Sequence, residues 1–427
     1  EKLNTALQQL LWKELIKMEN QKNSFHFIAI GGVGQSALAK ILLLMGYNVS
    51  GSDIVESKYT KLVESLGAKV YIGQKKENIK ENSIVVISSA IKEDNPELIR
   101  AKELNLKIMH RSDCLKYISE LFPKFIGLSG THGKTTTSGL ISFVMEKMKK
   151  NPAYAVGGIL PEFNTNANSS KSSKYFIAEL DESDGTIVKY HPDYLVVNNL
   201  EADHLDFYKN GLADILLTFE KVINNVNKNG KIFLNVDNSG VLELQKRINL
   251  TNSKEIITYG INSKADFEAK NVVQKDFEVS FDVYKKGNFL GKINLSIPGL
   301  HNVYNALAIT SVLDTLGFKF DEYAEFFFEF TGMGRRFQTV ANIKEKNIRI
   351  IDDYAHHPTE ISSTLSAVKE IKRRKVIIFQ PHRYTRLKGL FEEFLNCFNN
   401  IDKLFVVDVF RAGDKFDEEY NSKNFVK

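Results

Sequence analysis

The sequence predicts an α/β chain of three units, and three observations carry that reading. Its 427 residues leave room for about three domains of roughly 150 residues each. From residue 25 onward short apolar runs alternate with helical stretches, the pattern of parallel sheets covered by helices on both faces. The alternation restarts after Phe125 and again after Asn347. With 43% hydrophobic and 26% charged residues, the chain has a globular composition rather than a disordered or fibrous one.

Residues 1–23 read as one amphipathic helix, since Leu7, Leu10, Leu11 and Leu15 recur at helical spacing. FHFIAI at 25–30 is a strand, followed by a glycine turn and a helix from about Ser36 to Met45. Asn48 to Ser50 opens a second strand that leads to Asp53. Leu62 to Leu66 is helical, Lys69 to Ile72 extended, and Ile84 to Ser88 a buried strand. Residues 24–115 therefore form a Rossmann-like, nucleotide-binding unit.

The central unit, 116–331, begins with a strand at Phe125 to Leu128, a second glycine turn, and a helix from Thr135 to Lys149. Tyr175 to Leu180, Tyr194 to Asn198, Ile232 to Asn235 and Ile256 to Tyr259 continue as strands. Between about 265 and 297 the pattern changes to apolar–polar alternation (FEVSFDVY) with a turn at Lys286 to Asn288, which predicts a small antiparallel patch. His301 to Leu316 returns to helix, and a boundary falls near Phe330 to Gly334. The third unit, 332–427, repeats the theme. It has strands at Ile348 to Ile351, Val376 to Phe379 and Leu404 to Val409, and helices at Thr359 to Ile371 and Leu390 to Phe398. It reads as a second Rossmann-like domain, shortened at its end.

Several function classes fall away. The apolar runs, such as Ile41 to Met45, are far shorter than the roughly 20 residues that span a bilayer, and no basic-then-apolar leader opens the chain. Cys114 and Cys397 stand far apart and cannot make a disulfide framework or a cysteine-rich zinc site, so a reducing cytoplasmic setting is expected. The net charge is +5, from 57 basic and 52 acidic residues, and does not call for nucleic acid. The KRRK cluster at Lys372 to Lys375 reads as a solvated helix end.

The strongest chemical signal is Gly130-Thr131-His132-Gly133-Lys134-Thr135-Thr136-Thr137, set between an apolar strand and a helix. Backbone N–H groups in such a turn converge on phosphate oxygens, and the helix dipole adds to the attraction. Lys134 would sit on the β- and γ-phosphates, and Thr135 would ligate Mg²⁺. Leu128 stands where the strict phosphate-loop pattern has glycine, so this is a variant of it.

A second turn, Gly31-Gly32-Val33-Gly34, follows the first strand, and Asp53 ends the second. Such a turn admits a pyrophosphate, and Asp53 could accept from a ribose or base. By itself the pattern fits NAD, FAD or a UDP-sugar, or a plain structural turn. Acidic residues cluster after two central strands: Glu179, Asp181, Glu182 and Asp184, then Glu201, Asp203, His204 and Asp206. Carboxylates and an imidazole at strand ends facing a phosphate loop suit Mg²⁺. Late in the chain come Arg335-Arg336, Asp352 to His357, and His382 to Arg386. Arginine forks there suit carboxylates and phosphates, whereas adjacent histidines diverge and make a poor zinc pair.

Together these residues resemble the Mur ligase family. The matching strings are HFIAIGGVG, SGSD, SGTHGKTTT, AELDESDG, NNLEADHLDFY, PGLHNVYNA, GMGRRF, DDYAHHPTE and HRYTRLKGLFEEF, in family order from about residue 25 to 410. Within the family they look like the members that add L-alanine to UDP-N-acetylmuramate, more than the tripeptide-recycling members or folylpolyglutamate synthase. The resemblance implies an ATP-driven amide-forming ligase of peptidoglycan precursor synthesis, acting through an acyl phosphate. It implies ATP and Mg²⁺ as cofactors, and UDP-N-acetylmuramate and L-alanine as substrates. By motif position, Lys134 would neutralise the transferred charge, Thr135 and Glu179 would ligate one Mg²⁺, and His204 a second. Gly130 to Thr136, His301 and Asn305 would contact ATP, with Arg335 reaching over its phosphates. Gly31, Gly32, Val33, Gly34, Ser52 and Asp53 would hold UDP-muramate, and His356, Arg383 and Arg386 the alanine. Two departures stand out: the family has Met-Ser-Gly where Gln35-Ser36-Ala37 stands, and it continues beyond a strand like Leu404 to Val409 with further elements. A nicotinamide oxidoreductase would leave the loop at 130–137 without a role, and an inactive relative would bind both nucleotides without turnover.

Overall fold

The computed structural model describes residues 24–205, 207–248 and 254–426. The helix expected over 1–23 and the acid expected at Asp206 lie outside them. The first unit is a parallel sheet of β1 (Ser24–Ile28), β2 (Asn48–Asp53), β3 (Lys69–Ile72), β4 (Ser83–Ile87) and β5 (Ile108–His110), in the order β3-β2-β1-β4-β5. The order reverses beside β1, so the crevice at the carboxyl end of β1 opens where the Gly31 to Gly34 turn begins. Helix α1 (Val33–Leu44) leaves that turn and packs its buried face on the central unit.

The central unit is built on β6 (Lys124–Ser129), β7 (Ala153–Leu160), β8 (Thr165–Asn168), β9 (Tyr175–Glu179), β10 (Tyr194–Val197), β11 (Lys231–Asn235), β12 (Glu255–Gly260), β13 (Phe267–Lys275), β14 (Glu278–Lys285) and β15 (Asn288–Leu295). They form one ten-stranded sheet, β15-β14-β13-β12-β11-β10-β6-β9-β7-β8. From β7 to β13 across the sheet the neighbours run parallel, while β13-β14-β15 is the antiparallel patch the alternation predicts. The β14–β15 turn is Lys286-Gly287, both at positive φ (48° and 82°), which is the two-residue turn whose twist matches paired strands.

Strand β6 lies between β9 and β10, so the chain crosses over at that point and the carboxyl ends of all three converge. Helices α2 (Lys134–Lys147) and α3 (Leu300–Thr315) pack together over one face of the sheet. Phe143, Phe233, Tyr259, Phe267 and Phe281 are buried in that layer. At about 2 kcal/mol per fully buried large apolar side chain, this core makes the sheet a stiff platform for the residues at its carboxyl edge.

The third unit differs from the expected continuous parallel sheet. The strand predicted at Ile348 to Ile351 is β17 (Ile348–Asp352), but it pairs antiparallel with β16 (Gln338–Ile343) in a separate ribbon. The reason is local. Lys344–Lys346 forms a tight turn and Asn347 follows at φ 53°, so the chain folds back at once. A parallel pair, β18 (Val376–Phe379) and β19 (Lys403–Val406), makes the second small sheet. Helix α4 (Pro358–Ala367) joins the two and docks on the central unit by both ends. Near its amino end Thr359 donates to Glu201 at 3.0 Å, and at its carboxyl end the Ala367 carbonyl accepts from Gln274 at 2.6 Å. Among the described residues no helix is long and apolar enough to cross a membrane.

Candidate active site

The turn between β6 and α2 is held from outside. Thr131 N–H donates to the Asn199 carbonyl at 2.9 Å. The Asn199 carboxamide accepts from His132 N–H at 2.7 Å and donates to its carbonyl at 3.0 Å. Thr131 and Glu201 add a further bond, Glu201 N–H to the Thr131 hydroxyl at 2.9 Å. Below the turn runs a buried chain. Tyr259 donates to Asn198 at 2.9 Å, Asn198 to Thr137 at 2.8 Å, Thr137 to Asn305 at 2.9 Å, and Asn305 to Asn302 at 3.2 Å. Gly130 has φ 131°, and a Cβ there would meet the Asn199 carbonyl at 2.9 Å, so only glycine fits the clamp.

Lys134 folds back over the turn and donates to the Gly130 and Thr131 carbonyls at 2.7 and 3.2 Å and to both Glu182 oxygens at 2.9 Å. Its side chain is 12% exposed and that of Glu182 1%. Burial alone would drive the lysine toward neutrality, but Glu182, Asp181 and Glu179 more than offset it and hold the pKa above the ordinary lysine value. The group is therefore a fixed ammonium at the place a phosphate would reach.

Thr135 donates to Glu179 at 2.9 Å, and Gly157 N–H reaches the same oxygen at 3.1 Å. A hydroxyl and a carboxylate side by side are hard oxygen donors of the kind Mg²⁺ takes. A Cβ on Gly157 would lie 2.4 Å from that Glu179 oxygen and 2.9 Å from the Thr135 hydroxyl, so the bare backbone keeps the pair in place. His204, expected to hold a second ion, is at φ 53° in the neighbouring cleft. The structure thus groups Thr135 with Glu179, and His204 with Arg383 and Arg386.

Clefts open between the central and third units, and two of them hold the phosphate loop and the arginine group. The larger of these two is lined by His132, Gly133, Thr136, His301, Asn302, Asn305, Arg336 and Asp353. Arg336 lines it. The positive φ of 59° at Arg335 parts the two neighbours, and Arg335 is an exposed side chain stacked 4.7 Å over Tyr354. Burial pushes the His301 pKa down to about 4, so it is a neutral imidazole. Asn305 lines the cleft, but its carboxamide is committed to the loop chain described above.

The smaller cleft brings Asp203, His204, Arg383 and Arg386 together. Arg383 is at φ 71° and bonds Asp414 at 3.3 Å. Arg386 contacts the His382 ring and carbonyl at 3.3 and 3.4 Å and stands 4.0 Å from Asp203, while its buried Nε has no partner. His356 stands beside this group, its ring 5.3 Å from that of His382. His204, Arg335 and Arg383 all carry positive φ, the kind of backbone strain that gathers at functional sites.

In the first unit, Gly31 N–H donates to Asp53 at 2.9 Å, which ties the glycine turn to the end of β2. Asn166 of the central unit donates to the Val33 carbonyl at 3.1 Å, so the turn is gripped from both units. Ser52, expected at the ligand, is fully buried and donates to Glu97 at 2.5 Å; its side chain belongs to a core network with His26 and Asn78. The reason is strand alternation: Ser52 points into the sheet face opposite to Asp53.

His132 of the loop also lies between two acids, with Nε2 3.4 Å from Glu201 and Nδ1 3.5 Å from Glu360. Burial lowers its pKa, but the two carboxylates more than offset this and raise it to about 9. His132, Glu201 and His357 place possible ligand atoms within 4.8 Å of one another. A metal is poorly served there. His357 Nδ1 already accepts from Thr359 N–H at 3.2 Å, which leaves the proton on Nε2, and His132 is cationic.

Family descriptions match along the chain: "Mur ligase family, catalytic domain" over residues 24–123, "Mur ligase middle domain" over 128–313 and "Mur ligase, glutamate ligase domain" over 335–425. A UDP-N-acetylmuramate–L-alanine ligase of Geotalea uraniireducens is 41% identical over 93% of this chain and 85% of its own length. The structure of a UDP-N-acetylmuramate–alanine ligase from Thermotoga maritima superposes with a TM-score of 0.76 at 31% identity, covering 91% of this chain and 85% of that one. A UDP-N-acetylmuramate:L-alanyl-γ-D-glutamyl-meso-diaminopimelate ligase from Neisseria meningitides gives 0.64 at 26% identity, covering 73% of this chain and 99% of that one.

Two outcomes are expected. Gly157→Ala should raise the Mg²⁺ concentration for half-maximal nucleotide binding by roughly 10-fold, the scale of a disturbed ligand support. An unchanged Mg²⁺ titration in a folded variant would contradict the Thr135–Glu179 assignment. His132 has a folded pKa raised from 6.5 to about 9, so its stabilisation is full below about pH 6.5 and is lost as pH rises toward about 9. In urea unfolding, the stability gap between the native chain and His132→Asn should narrow across that window. A gap independent of pH would contradict the paired, protonated His132.

Proposed function

The chain belongs to the Mur ligase family, and we propose that it joins L-alanine to the carboxylate of UDP-N-acetylmuramate with the cleavage of ATP, in peptidoglycan precursor synthesis. The observation that carries the residue-level reading is the placing of two clefts along the segment that follows β10. One is lined by Asn198 and Asn199 with His132, Gly133 and Thr136 of the phosphate loop, the other by Asp203 and His204 with two arginines.

The chemistry requires that arrangement. A carboxylate is a poor electrophile and must first take the γ-phosphoryl group as an acyl phosphate, so two anions have to be brought together. Lys134, kept charged by Glu182, offsets the charge that moves between the β- and γ-phosphates. Backbone N–H groups of Gly133 to Thr136, at the start of α2, take the phosphate oxygens, while those of Thr131 and His132 stay on Asn199. Thr135 and Glu179 would hold Mg²⁺, which when bound draws charge from the phosphate oxygens. His204, in the second cleft, would face the same phosphoryl group from the acceptor side.

Arg336 lines the nucleotide cleft at the hinge and would supply a cation there, beside Arg335. His301, neutral at the cleft wall, suits the base or ribose. Arg386 has a buried Nε with no partner, and a bound carboxylate would satisfy it; this supports placing the alanine carboxylate there, with Arg383 and His356 beside it. The Gly31 to Gly34 turn with Asp53 suits the UDP end of the other substrate.

Phosphate release from ATP, with UDP-N-acetylmuramate and Mg²⁺, should depend on L-alanine and fall by about 100-fold or more in Lys134→Ala. Arg386→Lys should raise the KM for alanine by roughly 10- to 100-fold, the cost of a lost charged hydrogen bond, and leave UDP-N-acetylmuramate binding unchanged. Release driven better by a tripeptide acceptor than by L-alanine would contradict the proposal.

A further inference from the structure

Glu360 is the third residue of α4 and carries more contacts than a helix cap needs. Its Oε2 accepts from His356 and His357 N–H at 3.0 and 3.3 Å, which is the cap. Its Oε1 faces away from the helix, 3.4 Å from Arg336 and 3.5 Å from His132. One carboxylate of the third unit therefore touches the hinge, the loop that carries His356, and the phosphate loop of the central unit. On its other side the buried His132 Nε2 lies 3.4 Å from Glu201, an ion-pair contact without hydrogen-bond geometry, and Glu201 accepts from Thr359 of the same helix at 3.0 Å. The result is a closed circuit: His132, Glu360, helix α4, Thr359, Glu201 and back to His132. The groups facing it are the His357 ring, 4.9 Å from that of His132, and Arg336. Two of the links, His132–Glu360 and Thr359–Glu201, cross between units, and the third, His132–Glu201, closes the circuit within the central unit; the side chains of His132 and Glu360 are 13% and 15% exposed and that of Glu201 33%.

We infer that Glu360 is a positioning residue that couples docking of the third unit to the setting of the phosphate loop, acting through His132. The loop is clamped by Asn199 on the backbone of this same histidine. A pull on the His132 ring is thus transmitted to the N–H groups that face the phosphates. When α4 seats, it brings the alanine-side loop into place and fixes the nucleotide loop in the same movement. An ion pair suits that task because it forms and breaks with the distance between units, whereas a packed core would hold them shut. The inference rests on the ligase reading for its turnover arm only.

A double-mutant cycle tests it. Glu360→Gln keeps an oxygen for the two cap N–H groups and loses the charge; His132→Asn loses the ring. ATP affinity is measured by calorimetry on the native chain, both single variants and the double variant, and alanine-dependent phosphate release on the same four. Each single change should weaken ATP binding and lower kcat by roughly 10-fold, with the double variant no worse than about twice the weaker single, because the two residues act as one unit. KM for UDP-N-acetylmuramate should stay within about 2-fold, since the first unit is not in the circuit. Losses that multiply in the double variant would overturn the coupling. So would single variants with native ATP affinity and kcat and only a lower melting temperature, which is the mark of a merely structural cap. The ATP arm decides the matter even if the acceptor is not alanine, so failure of the coupling and failure of the ligase reading are distinguishable.

Discussion

The N–H groups that a turn offers to phosphate cannot also hold it together, so the N–H groups of Thr131 and His132 are spent on Asn199 and those from Gly133 onward are left for a ligand. Every other feature of the central unit follows from that constraint. The support has to come from neighbouring strands, and it does: Asn199 grips the backbone of Thr131 and His132 from the end of β10, and Asn198, Thr137 and Asn305 brace the turn from beneath. The sheet order makes this possible, because β6 and β10 are adjacent though far apart in the chain. Buried aromatic layers then keep that edge stiff, so that hydrogen bonds rather than flexible side chains set the loop.

The same edge must also collect positive charge without collapsing. Lys134 is nearly enclosed, yet three carboxylates keep it ionised. Arg386 pairs only distantly, at 4.0 Å, with Asp203, which leaves it free to take a second anion. Burial pushes the Asp203 carboxyl up, but His204 and Arg386 more than offset this and hold it below the usual range. Cations are thus stored against carboxylates inside the two clefts, and both clefts are completed only where the third unit meets the central one. The glycine turn of the first unit is likewise closed by Asn166 from its neighbour. Each proposed substrate position is shared between units, which suits a reaction that needs three ligands in one place.

Much of this was legible in the sequence because the local signals are strong. Parallel strands read as short apolar runs, the Lys286-Gly287 turn as a hairpin, and the loop at 130–137 as a glycine turn between strand and helix. What the sequence hid has physical causes. β7 and β8 carry paired glycines and a polar TNAN run, so no apolar period marks them, yet Gly157 on β7 supports the Thr135–Glu179 pair. Arg335 and Arg336 are adjacent, and only the left-handed backbone at the first decides which faces the nucleotide cleft. Ser52 and Asp53 are adjacent too, and strand alternation sends one into the core. The strand at Ile348 has the right composition for a parallel sheet, but Asn347 turns it back on β16. Glu360 reads as a helix cap, which it is; its reach to His132 is a tertiary fact that no local pattern encodes.

The central claim is that the muramate carboxylate is activated by phosphoryl transfer in the nucleotide cleft before the amine of alanine meets it. The most direct test is to label that carboxylate with ¹⁸O, run the complete reaction, and weigh the released phosphate by mass spectrometry. The account predicts one ¹⁸O atom in each phosphate released, with ADP as the other product. Phosphate free of label, or cleavage to AMP and pyrophosphate, would contradict it.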